Sequence, residues 1–89
     1  MRDTILGKMY PEGWLIHPEG RFLLLFQKDT GSLERMPKGY MDKWSVSPSG
    51  TPLSFIDRRA VPAAEAVSIW IQLTEDGWRR IDRQFREAA

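Results

Sequence analysis

Trp14-Leu15-Ile16-His17-Pro18-Glu19-Gly20-Arg21-Phe22-Leu23-Leu24-Leu25-Phe26-Gln27-Lys28 is two short apolar runs divided by a four-residue turn signal. Proline presets φ at the first corner of a turn, and a glycine two residues later can take the positive φ that reverses the chain. Apolar runs on either side of such a turn predict a β-hairpin. In the second run Phe22, Leu24 and Phe26 share one face, while Leu23 and Leu25 take the other. Apolar character on both faces predicts a central strand that is covered on at least part of its second side.

The Pro-x-Gly unit recurs at Pro11-Glu12-Gly13, Pro37-Lys38-Gly39 and Pro48-Ser49-Gly50, so four of the six prolines sit in it. Read as turns, these units leave room only for short segments, and the first sixty residues are expected to be strands and turns. Met1 to Tyr10 has no period and reads as a loose lead-in; Ser32 to Met36 reads as an irregular connection. Tyr40 to Val46 alternates, with Tyr40, Trp44 and Val46 on one side and Met41, Lys43 and Ser45 on the other. Asp42 falls on the apolar side, which calls for a sheet margin or a partner. Leu53 to Arg59 follows the Pro48-Ser49-Gly50 turn and makes a second hairpin, giving an antiparallel meander.

The period changes at Val61. Pro62 suits the first helical position, where its missing N–H costs nothing. Ala63, Ala66, Val67, Trp70 and Thr74 recur at helical spacing, flanked by Ile71 and Leu73, and Glu65, Ser68, Gln72, Glu75 and Asp76 fall opposite. This predicts an amphipathic helix anchored on Trp70, with no polar N-cap side chain. Gly77 either ends that helix in the left-handed conformation or lies within a longer one. Trp78, Ile81 and Phe85 continue the apolar stripe in phase, which favours one long helix on periodicity alone.

The chain has 89 residues, net charge +1, 42% apolar residues, four Trp and no Cys. That is one small domain, 1–89, with ends at 1–10 and 86–89 expected to be loosely held. The absence of cysteine excludes disulfides, thiol nucleophiles and thiolate metal sites. No apolar run approaches a membrane span and no secretory h-region is visible, so a soluble, cytoplasmic protein is expected. Charge is evenly spread, against the lopsided excess usual in a dedicated nucleic-acid binder.

Chemistry-bearing residues are few. His17 stands at a hairpin corner, where a backbone-bonded or solvated ring is the simple reading. Asp42 and Asp57 are the carboxylates placed among apolar neighbours, but Lys43, Arg58 and Arg59 beside them supply ion-pair partners. No spacing matches a calcium loop, a zinc site or a phosphate-cradling loop. The sharpest signal is the arginine pairs Arg58-Arg59 and Arg79-Arg80 with Trp78: guanidinium groups bind phosphate, and indoles stack on bases. A solvated face interleaved with Asp57, Asp76, Asp82 and Glu87 accounts for the same residues. Surplus Trp also suits a protein interface.

From Trp14 through Trp78, the order of features resembles a group of short cyanobacterial proteins classed as a domain of unknown function. The resemblance runs through Gly13-Trp14-Leu15, the apolar strand ending at Phe26, Met41-Asp42 with Trp44, and Pro52-Leu53. It continues through Arg58-Arg59, Ala64-Glu65-Ala66, Trp70, Leu73 and Gly77-Trp78. In that family a proline often stands where this chain has Arg83, which implies an extended tail and a helix broken at Gly77. The resemblance implies no activity and no catalytic residues.

The expected fold is therefore α+β: an antiparallel meander of four to five strands with one helix on one face, the helix ending at Gly77. The expected function is a non-enzymatic module that binds a protein partner or a second copy, without cofactor or metal. Nucleic-acid binding through Arg58, Arg59, Trp78, Arg79 and Arg80 is the alternative. A small enzyme would need a pocket gathering Asp42, Asp57 or His17.

Overall fold

The computed structural model describes residues 10–29 and 38–81. Five strands form one antiparallel sheet: β1 (Gly13–Ile16), β2 (Phe22–Lys28), β3 (Lys38–Val46), β4 (Pro52–Pro62) and β5 (Arg79–Ile81). Their order is β4-β3-β2-β1-β5. A helix, α1 (Ala63–Glu75), connects the two edge strands and lies on one face. The fold is α+β, and the meander with one covering helix follows the sequence expectation.

Both hairpins close through the same geometry. His17 N–H donates to Phe22 O (3.0 Å) and Gly20 N–H to His17 O (2.8 Å); Ser47 N–H donates to Thr51 O (2.8 Å) and Gly50 N–H to Ser47 O (2.9 Å). Gly20 and Gly50 take φ of 72° and 90°, the region open to glycine. The residue before each proline braces its turn with a side chain. His17 Nδ1 accepts from Glu19 N–H (2.9 Å), and Ser47 Oγ from Thr51 N–H (3.1 Å).

The other two Pro-x-Gly units are not hairpin turns. Gly13 opens β1, and Gly39 lies buried inside β3. A Cβ at Gly39 would meet the backbone of Gln27, Lys28 Cα at 2.8 Å and the Tyr10 ring at 2.9 Å. This glycine serves close approach rather than chain reversal. Pro37 lies outside the described residues, as do 1–9, 30–36 and 82–89.

Leu15, Leu24, Phe26 and Val61 on one sheet face join Ala63 and Ala66 of the helix in the core, with Met41, Ile69, Trp70, Leu73 and Trp78 against it. Trp70 meets Phe26 edge-on, centroids 5.0 Å apart. Tyr10, read from sequence as part of a loose lead-in, is 6% exposed. Its hydroxyl donates to Val61 O at 3.0 Å. The helix stripe also differs from the expected one, since Leu73 and Ile69 face the core while Thr74 and Ile71 are exposed. Pro62 is the N-cap in extended geometry (φ −73°, ψ 159°), not the first helical residue, because it still pairs with Lys38 of β3.

Gly77 ends the helix. With φ at 105° it lets Trp78 N–H reach back to Leu73 O (3.0 Å) and Gly77 N–H to Thr74 O (3.2 Å). These two bonds satisfy terminal carbonyls and define a Schellman stop. The chain then pairs as β5 with β1, Trp14 opposite Ile81 and Ile16 opposite Arg79.

Candidate functional site

Side chains of a strand alternate between faces, so the registers place the sequence candidates directly. The face opposite α1 carries Trp14 and Ile16 from β1, Leu23 and Leu25 from β2, Tyr40, Asp42 and Trp44 from β3, and Phe55 and Arg58 from β4. Met41 packs toward the helix, because it stands opposite Phe26 in the ladder.

Asp42 is the buried polar residue of this face, 2% exposed. It accepts from Arg58 Nε and Nη2 at 2.8 Å each, and from Gln27 Nε2 at 3.0 Å. Arg58 also lies over the Tyr40 ring, 4.2 Å from its centroid. The Asp42 hydrogen bonds hold the Arg58 guanidinium more firmly in its charged form, against the opposing effect of its desolvation. Of the two arrangements expected for Asp42, this is the partnered one. A carboxylate engaged by three donors is a structural clamp, and half of Arg58's phosphate-binding fork is already used.

The remaining arginines are dispersed. Arg59 points to the helix face, bridging Glu65 at 3.1 Å. Arg80 lies over Gly13 beside Trp70. Arg79 stands opposite Ile16, on the other face of β5. Because β4 and β5 are opposite edges of the sheet, the two arginine pairs are separated by three strands and each pair is split between faces. Trp78 packs edge-on against His17, centroids 5.1 Å apart, and against the core. The structure therefore does not bring the two arginine pairs into one patch.

The residues that stand out on the surface are not among the binding candidates singled out from the sequence. The first half of edge strand β4 holds Leu53, Phe55 and Ile56 at 62%, 50% and 45% exposure. Beside them Trp44 is flanked edge-on by Trp14 (6.1 Å) and Phe55 (5.8 Å). The β3–β4 ladder slips twice here, between Lys43 and Trp44 and between Trp44 and Val46. Ser45 Oγ stands in for the missing ladder group, accepting from Ser54 N–H at 3.1 Å. Trp44 Nε1 is shut off from solvent and has no hydrogen-bond partner among the described residues. Such an orphaned donor costs about 1–3 kcal/mol. The one sequence signal was the strand pattern breaking at Phe55-Ile56, two large apolar residues in succession.

Among the described residues no cluster of His, Asp or Glu suits a metal ion. No helix among them is long and apolar enough to cross a membrane. Residues 12–85 match the family described as "Protein of unknown function (DUF1651)". No curated protein and no solved structure matches the chain.

Proposed function

We propose, from the premise that the chain belongs to the DUF1651 family of unknown function, that it is a non-enzymatic protein-interaction module working through the first half of β4. The supporting observation is the run Leu53, Phe55 and Ile56, three large apolar side chains about half exposed on one edge strand. Single exposed apolar residues are ordinary, but a contiguous group on a sheet edge marks a contact surface. Two ladder slips and the charged trio Asp57-Arg58-Arg59 guard this edge against open-ended strand addition. The contact is therefore made by side chains packing on the apolar half.

A photo-crosslinking amino acid placed at Phe55 or Ile56 in the cell tests this. Adducts of discrete mass are expected from both positions and not from the exposed helix position Gln72. Equal labelling from all three, or none from any, overturns the reading. The nucleic-acid alternative is not favoured by any observed grouping of its residues.

A further inference from the structure

We infer that the sheet end where Gly39 and Val61 pair is a binding site for a para-substituted phenol, filled in this structure by the chain's own Tyr10. Tyr10 belongs to a strap, residues 10–12, that leaves the line of β1 at Gly13, where φ is 134°. The register that pairs Gly13 with Phe26 would set Pro11 against Lys28, and a proline brings no N–H to that pair. The chain leaves the ladder there, and Glu12 Oε2 accepts from Lys28 N–H instead, at 3.2 Å in an exposed position. The strap is thus held by one exposed bond and by Tyr10 itself.

The surroundings of the Tyr10 ring suit a phenol better than a plain apolar group. Gly39 is bare where the ring tip lies, since a Cβ there would stand 2.9 Å from Tyr10 Cζ. Val61, opposite Gly39 in the ladder and 1% exposed, accepts the hydroxyl through its carbonyl at 3.0 Å. Ala63 and Ala66 of α1, in the same core cluster, are small. Burial, with Glu65 nearby, pushes the Tyr10 hydroxyl up to about 12, so it stays a donor through the ordinary pH range. A site that offers an acceptor to a hydroxyl discriminates against the same ring without one, whose bond goes unmade. Tyr10 fills the site as a tethered ligand, at the high effective concentration a short link gives. An outside phenol, either a free molecule or the tyrosine of another chain, enters when the strap lifts about Gly13.

The test is a titration of the full chain carrying Tyr10→Gly with p-cresol, which is the tyrosine side chain without its backbone. Two-dimensional NMR reads the Gly39 and Val61 amides. Saturable shifts are expected at both, with toluene binding at least about threefold more weakly for want of the hydroxyl. The native chain should bind p-cresol at least about tenfold more weakly than Tyr10→Gly, because its own ring competes. Should Tyr10→Gly fail to fold, Tyr10→Phe keeps a ring in place without the hydroxyl bond, and p-cresol should displace it at lower concentration than it displaces the native ring. Acetyl-tyrosinamide run in parallel separates the two sources: binding as tight as p-cresol points to a tyrosine of another chain, and its exclusion to a free phenol. If neither variant binds p-cresol saturably, or if toluene binds as tightly, the inference is overturned and Tyr10 is an ordinary core residue.

Discussion

Asp42 and Tyr10 show how a polar atom in this small core is made tolerable. Arg58 and Gln27 saturate the buried Asp42 carboxylate with hydrogen bonds, whereas the Arg59–Glu65 bridge lies in solvent. Arg58→Ala should therefore destabilise the fold more than Arg59→Ala does, since it strips two donors from a buried carboxylate. Arg59→Ala should cost no more than about 1 kcal/mol, as exposed pairs do. Urea titrations of the two variants check the ranking. Tyr10 is buried, with Glu65 nearby, and its phenol is pushed up to about 12. The unfolded phenol titrates near 10. A folded value above the unfolded one means that Tyr10's contribution is full below pH 10 and is lost as pH rises through about 12. Thermal midpoints should fall over that window in the native chain and fall less in Tyr10→Phe, which has no proton there to lose.

At the scale of elements, two glycines do different work. Gly39 lets β3 pass close against Lys28 and Tyr10, with no room for a methyl group. Gly39→Ala should cost about 1–3 kcal/mol, or prevent folding, by overpacking a site walled by backbone. Gly77 ends α1 at φ 105°, with Pro18 Cγ 3.2 Å from where a Cβ would stand. Gly77→Ala should lower stability by about 1 kcal/mol or more through strain at positive φ. If instead the variant gained helix by circular dichroism without losing stability, Gly77 would not be the required stop. The apolar positions Trp78 and Ile81 continue the helical stripe, so local periodicity favoured a longer helix. The Schellman bonds from Trp78 and Gly77, and pairing of Ile81 with Trp14, won instead. Local spacing carries no record of that competition, because β1 lies more than sixty residues upstream.

Across the whole molecule, the helix spans from one sheet edge to the other and sets apart the two arginine pairs. Binding to random-sequence RNA should therefore engage few phosphates at once, with a log–log salt slope no steeper than about −1.5. A steeper slope in a salt titration would restore the nucleic-acid reading. What the sequence determined by itself were the features written in neighbouring residues: both hairpins, the central strand, a helix beginning soon after Val61 and the absence of cysteine chemistry. Turn chemistry and period are local, so a single chain displays them. The tertiary structure alone decided that Gly39 is a contact rather than a turn, that Asp42 belongs with Arg58, and that Phe55 and Ile56 stay exposed beside the Trp44 indole. Each of these depends on which strands become neighbours and in what register. Register is settled by the summed burial and pairing of the entire sheet, which no short window of sequence contains.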